Sequence, residues 1–187
     1  MRMAKTEIRL AGFGGQGIVL AGSILGKAAA LHQGLNAVFT QSYGPEARGG
    51  ACSADVVLST GAIYYPKVST PTILVLMSEE AKNTYGGHLA SGATLIIDQD
   101  LVNLDQGPEG VRFFRVRATR LAEKLGRTIV ANIVMLGFLV AVTGIVKYEA
   151  MEKALLDSIP SGTEKLNLSA LKAGFEEGQK LLLKSKD

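Results

Sequence analysis

This sequence predicts an α/β fold of three layers (α/β/α), with a mostly parallel but mixed sheet and extra helices at the carboxyl terminus. Three observations carry that prediction. Short β-prone runs alternate with stretches of helical periodicity from residue 6 to about residue 125. Two of those runs, 72–77 and 93–97, are apolar almost throughout, as strands buried on both faces must be. The 22 glycines lie in strings between apolar runs, where chain reversals belong.

Taken in order, residues 6–11 read as a strand ending in Gly12-Phe13-Gly14-Gly15-Gln16-Gly17, and 18–31 have apolar residues at helical spacing. Residues 35–41 read as a second strand. The segment 42–50, SYGPEARGG, holds a proline and three glycines and reads as a loop. Residues 51–59 alternate as a strand, Thr60-Gly61 reads as its turn, and 62–65 as a short hairpin partner that would make the sheet mixed. Ser78 is placed to cap a helix over 79–85. The strand 93–97 ends at Asp98, and 111–116 is the last strand. A helix over 118–125 stops at Gly126, and the apolar stretch 129–146 reads as a helix buried on most sides. Amphipathic helices over 148–158 and 164–183 follow, with a frayed tail at 184–187. With no repeat and no long linker, one domain over 1–187 is expected.

Composition narrows the function. Twenty Lys and Arg against 17 Asp and Glu give a net charge of only +3, which offers little to nucleic acid. Arg112, Arg115, Arg117 and Arg120 form the one basic series; it would suit an acidic partner or simply solvate a strand edge. The start, MRMAKTEIRLAG, has no apolar stretch of signal-peptide length, so a cytoplasmic protein is expected. Residues 129–146 reach the minimum length of a membrane span, but Asn132 and Thr143 favour a core or contact helix, and no membrane association is expected. One cysteine, Cys52, permits neither an internal disulfide nor a cysteine-ligated cluster, and no metal site is expected.

The glycine string admits three readings. Gly12, Gly14 and Gly17 satisfy G-x-G-x-x-G between strand and helix, the context of a dinucleotide site, but the second strand ends in Phe39-Thr40-Gln41 without a carboxylate for the ribose. The glycines would equally serve a tight turn and close helix–sheet approach. Or the loop, with Gly15 and the Gln16 amide, presents donors to a neighbouring subunit or a shared ligand. No catalytic residue stands out. Arg48 could clamp a carboxylate or phosphate, or pair with Glu46, and Tyr43 could stack on a partner or edge the core. Cys52 reads as a small buried thiol, His32 and His88 as surface or capping residues. Asn132, in an apolar helix, must satisfy its amide as a loop anchor or a subunit contact.

Together, Gly12-Phe13-Gly14-Gly15-Gln16-Gly17 running into Ile18-Val19-Leu20-Ala21-Gly22, then Gln41-Ser42-Tyr43-Gly44-Pro45-Glu46-Ala47-Arg48-Gly49-Gly50-Ala51, and Ala131-Asn132-Ile133-Val134-Met135-Leu136-Gly137 resemble the γ subunits of 2-oxoacid:ferredoxin oxidoreductases. The second block looks more like the 2-oxoglutarate type than the pyruvate type. The resemblance implies a heteromeric complex that converts a 2-oxoacid and coenzyme A to acyl-CoA and carbon dioxide and passes electrons to ferredoxin. Thiamine diphosphate would lie between the α and β subunits, and iron–sulfur clusters in β and in a ferredoxin-like δ subunit where present. The γ chain would bind no cofactor alone and be inactive in isolation, where homodimerisation is plausible. Its two loops, Gly12 to Gly17 and Tyr43 to Gly50, would lie side by side at the strand carboxyl ends, facing the catalytic subunits. The competing readings are a stand-alone dinucleotide-dependent oxidoreductase and the γ subunit of a pyruvate or other 2-oxoacid oxidoreductase.

Overall fold

The computed structural model describes residues 5–43 and 50–184. Along it run β1 (Thr6–Phe13), α1 (Ile18–His32), β2 (Asn36–Ser42), β3 (Ala51–Ser59), β4 (Ile73–Leu76) and α2 (Glu79–Tyr85). Then come β5 (Thr94–Asp98), β6 (Arg112–Val116), α3 (Ala118–Lys124), α4 (Ala131–Thr143), α5 (Tyr148–Leu156) and α6 (Glu164–Lys184), with a 3-10 turn, Thr128–Val130, leading into α4.

The six strands form one sheet in the order β2-β3-β1-β4-β5-β6. β1, β4, β5 and β6 are mutually parallel, while β3 is antiparallel to both its neighbours, β1 and β2. The sheet is therefore mixed, as expected, but for a different reason. The second edge of β3 is taken by β2, so no hairpin partner can add there, and residues 62–65 form no strand. Tyr64 instead stands 94% exposed in the loop that follows β3.

Strand periodicity divides the core. Ile8, Leu10, Val56, Leu58, Val75 and Ile96 point to one face and pack with α1, α3, α4, α5 and α6. Leu74, Leu76, Leu95 and Ile97 point to the other and pack with Ala81 of α2 and Val102. All four residues of β4 are buried, which is why its sequence is apolar without alternation. Each such side chain contributes about 1.5–3 kcal/mol relative to exposure. A charge in the buried strand β3 needs a partner: Asp55 receives Arg9 Nε at 2.7 Å and Nη2 at 2.6 Å, directly across the β1–β3 register. Arg9 also donates to the Val68 carbonyl and lies 5.2 Å from the Tyr85 ring centre.

The apolar helix is shorter than expected from 129–146. Residues 128–130 wind as a 3-10 turn, and Gly144, at φ 61°, ends α4. Thirteen residues of α-helix span about 20 Å, and among the described residues no helix is long and apolar enough to cross a membrane. α4 is buried almost all round because α6 crosses it at backbone distance. A Cβ on Gly137 would overlap the Leu171 carbonyl, and one on Gly174 the Val134 carbonyl. His32 pairs with Asp157 at 3.0 Å and His88 is exposed, both surface roles. Most of the frayed tail expected at 184–187 lies outside the described residues.

Candidate functional site

β1, β2, β4, β5 and β6 all point their carboxyl ends to one edge of the sheet, and β3 begins there. Phe13 is opposite Ala51, and Ser42 opposite Ser53. Tyr43 and Gly50, which bound the segment 44–49, therefore leave the sheet on the edge where the glycine turn sits. Gly44, Pro45, Glu46, Arg48 and Gly49 lie outside the described residues.

β1 runs two residues further than expected, so Gly12 is inside the strand and the reversal spans 13–17. Gly12 has no room for a side chain: a Cβ there would meet Gln16 Oε1 at 2.5 Å and the Ile18 side chain. Gly15 (φ 100°) and Gly17 (φ 72°) take the left-handed conformation that makes the turn. Gln16 ties it down. Its Oε1 accepts from the Phe13 N–H at 2.7 Å, and its Nε2 donates to the Met77 carbonyl at 2.8 Å, on the neighbouring strand end. Asn132, 3% exposed, holds the other side: Nδ2 donates to the Gly17 carbonyl at 3.0 Å, while Oδ1 accepts from the Ile133 N–H at 2.9 Å. The amides of both side chains are thus engaged within the fold, tying the turn to the end of β4 and to α4.

What the turn offers outward is backbone. Gly14 and Gly15 are exposed, with nothing within 4 Å of where a Cβ would stand. α1 begins beyond them without a side-chain cap and with no acid in its first turn. Beside the turn lies a cleft of about 310 Å³ lined by Gly15, Gln16, Met77, Leu101, Thr119 and Ile129, among others. Its far wall is fixed by Asp98, wholly buried at the end of β5, which accepts from the Thr119 hydroxyl at 2.6 Å and from the Thr119 and Asp100 N–H groups. Burial pushes the Asp98 carboxyl above its ordinary pKa, the hydrogen bonds from Thr119 and Asp100 only partly opposing it.

Around this edge stand large apolar side chains in water: Tyr43 at 59% and Ile129 at 69%, with Phe13 and Leu101 nearer 40%. Exposed apolar side chains grouped on one edge are a common feature of contact surfaces. Cys52 is buried opposite Gly12, and burial raises its pKa, the opposite of what a nucleophile needs. Among the described residues no group of three or more His, Cys, Asp or Glu could hold a metal ion.

Sequence reasoning did not find Met77, whose backbone carbonyl anchors Gln16, nor the Asp98–Thr119 pair. A strand-end aspartate followed by a helix twenty residues later was the available signal for the latter. The dinucleotide reading loses support on topology. β3 lies between β1 and β2, so the end of β2 stands two strand spacings, about 10 Å, from β1, and it carries Gln41-Ser42 where a ribose-binding acid would be needed.

Comparison with known proteins supplies the context. Residues 7–177 match the family model described as pyruvate ferredoxin/flavodoxin oxidoreductase. The chain is 54% identical to the 2-oxoglutarate synthase subunit KorC of Methanothermobacter marburgensis, with 94% of this chain and 100% of the relative covered. It is 52% identical to the protein of the same name from Methanocaldococcus jannaschii, covering 95% and 96%. Among solved structures, the keto/oxoacid ferredoxin oxidoreductase gamma subunit from Geobacter sulfurreducens superposes with a TM-score of 0.85 at 39% identity, covering 95% of this chain and 98% of that one. The 2-oxoglutarate:ferredoxin oxidoreductase from Magnetococcus marinus shares the fold, with a TM-score of 0.85 at 23% identity, over 96% of this chain and 32% of that one.

Proposed function

The chain belongs to the pyruvate ferredoxin/flavodoxin oxidoreductase family, and from that premise we propose that it is the γ subunit of a 2-oxoglutarate:ferredoxin oxidoreductase. The observation that carries the proposal is identity above 50%, over essentially the full length of both chains, with relatives named as 2-oxoglutarate synthase subunits. The complex converts 2-oxoglutarate and coenzyme A to succinyl-CoA and carbon dioxide and passes two electrons to ferredoxin.

Thiamine diphosphate, iron–sulfur clusters and coenzyme A are the cofactors of that complex. Among the described residues we find no set that would hold either of the first two. A cluster needs several thiolates and the chain has one cysteine, buried. Among the described residues, neither the glycine turn, whose Gln16 and Asn132 amides are bonded within the fold, nor the cleft beside it presents a carboxylate that could hydrogen-bond the aminopyrimidine of thiamine diphosphate. The partners are the α and β subunits that bind thiamine diphosphate, with a ferredoxin-like δ subunit where present. This chain contributes a rigid face: an exposed backbone turn, braced by Gln16 and Asn132 and flanked by Phe13, Tyr43, Leu101 and Ile129.

Co-expression with its companion subunits, with and without this chain, tests the proposal. The assay is coenzyme A-dependent reduction of a viologen dye, with 2-oxoglutarate compared against pyruvate and 2-oxoisovalerate. Activity that needs this chain and prefers 2-oxoglutarate is expected. Preference for another 2-oxoacid would move the chain to a sister enzyme, and tight dinucleotide binding by the isolated chain would revive the stand-alone reading.

A further inference from the structure

The arginine series has a place in the fold that neither the glycine turn nor the family assignment uses. β6 is the outer strand of the sheet and pairs only with β5. The Arg112 N–H bonds to Ala93 and the Val116 carbonyl receives Gln99, so the backbone of Arg112, Phe114 and Val116 faces inward. By strand parity, the N–H and C=O groups of Phe113 and Arg115 face outward from the sheet edge.

Arg112 is occupied within the fold, donating to the Val142 carbonyl at 3.3 Å and stacking 5.4 Å from the Phe114 ring centre. The rest of the series is not. Arg115, Arg117, Arg120 and Lys124 surround a cleft of about 310 Å³ together with Gln99 and Glu177. All four cations are exposed. Arg120 reaches Asp100 at 3.5 Å, but Arg115, Arg117 and Lys124 have no carboxylate partner among the described residues. Arg120 and Lys124, four apart, share one side of α3, and Arg117 immediately precedes the helix.

Charges on an edge strand commonly guard it against accidental pairing. Such a guard needs charge on the strand alone. Here the charge continues onto α3 and lines a concavity, and the whole chain carries only +3. We propose that the β6 edge and the cation-lined cleft beside α3 form a docking surface for an acidic, extended segment of a partner protein. The segment pairs with the outward backbone of Phe113 and Arg115 and sets its carboxylates among Arg115, Arg117, Arg120 and Lys124. This surface does not depend on which 2-oxoacid the complex uses.

The test is titration of the isotope-labelled full chain with an acetylated peptide of alternating Glu and Val, followed by amide chemical shifts. Expected are shifts concentrated on residues 113–124 and affinity that falls about tenfold between low and physiological-to-high salt. R117E/R120E should weaken binding by about tenfold or more, while R117K/R120K, which keeps the charge, should retain most of it. Unchanged spectra away from the cleft show that each variant is folded. Absence of shifts at 113–124, or equal binding of a Lys–Val peptide, would overturn the proposal. So would inorganic pyrophosphate occupying the cleft where the acidic peptide does not, which would assign it to a small phosphate ligand.

Discussion

Asn132 donates its side-chain N–H to the Gly17 carbonyl at 3.0 Å, joining two positions 115 residues apart. The bond locks the end of the glycine turn to the first turn of α4, and Asn132 is buried with its oxygen also engaged. Asn132→Leu keeps the branched shape but removes both bonds: the Gly17 carbonyl retains only the Ala21 N–H, and the buried Ile133 N–H loses its side-chain acceptor, at a cost of about 1–3 kcal/mol. Chemical denaturation should show that loss, together with faster amide exchange in residues 13–18. Wild-type exchange there would mean the bond does not hold the turn.

Gly17→Ala attacks the same joint from the other side. Its φ of 72° strains any residue with a Cβ, and that Cβ would press on the Asn132 amide. Backbone strain alone costs about 1–3 kcal/mol. Gly14→Ala, with open space and no positive φ, should be nearly silent in the isolated chain but impair assembly. A Gly14→Ala chain that assembles normally would argue that the turn touches nothing.

Arg9 and Asp55 make a part-buried pair, with hydrogen bonds at 2.6 and 2.7 Å. Arg9→Met leaves Asp55 without its counter-charge and should cost about 2–4 kcal/mol. The double variant Arg9→Met/Asp55→Val should recover much of it. A double variant no more stable than the single one would show that packing, and not charge, fixes this part of the sheet.

The buried Asp98 gives a pH signature. Because its folded pKa is raised, its contribution to stability is fully present below the unfolded value, about 3.9, and is lost as pH rises through the higher folded value. The stability difference between wild type and Asp98→Asn should therefore fall as pH increases from about 4, at no more than about 1.4 kcal/mol per unit. A difference that grows with pH would reverse the assignment.

Gly137 and Gly174 permit the closest helix contact, each lying against carbonyl and N–H groups of the facing helix. Backbone cannot move aside as a flexible side chain can. Gly137→Ala or Gly174→Ala should destabilise by about 3 kcal/mol or more, and a thermal midpoint within a few degrees of wild type would contradict that packing.

Much of this was legible in the sequence because local chemistry and fold agreed. The apolar run at 73–76 is a strand buried on both faces, Ser78 caps α2 through the Ala81 N–H at 3.1 Å, and the alternation of 51–59 is β3. Non-local pairing was not legible. Nothing in 51–59 says that β1 and β2 occupy its two edges, so a hairpin at 62–65 was expected where none forms. The end of α4 at Gly144 was hidden in a uniformly apolar stretch, where only the glycine's conformation marks the stop. In the candidate site, Gly12, Gln16 and Asn132 were readable as residue types that need a reason. Their reasons, a crowded strand end and bonds to Met77 and Gly17, lie in partners distant in sequence.

The most direct test of the central claim, that the carboxyl edge around the glycine turn meets the catalytic subunits, is site-specific photocrosslinking in the co-expressed complex. Benzoylphenylalanine would replace Phe13 on that edge or, separately, Tyr64 in the loop after β3, both exposed aromatic positions. Crosslinks from position 13 to the thiamine-binding subunits are expected, with few or none from position 64. Crosslinks from position 64 with none from position 13 would contradict the claim and place the contact on the opposite edge of the sheet.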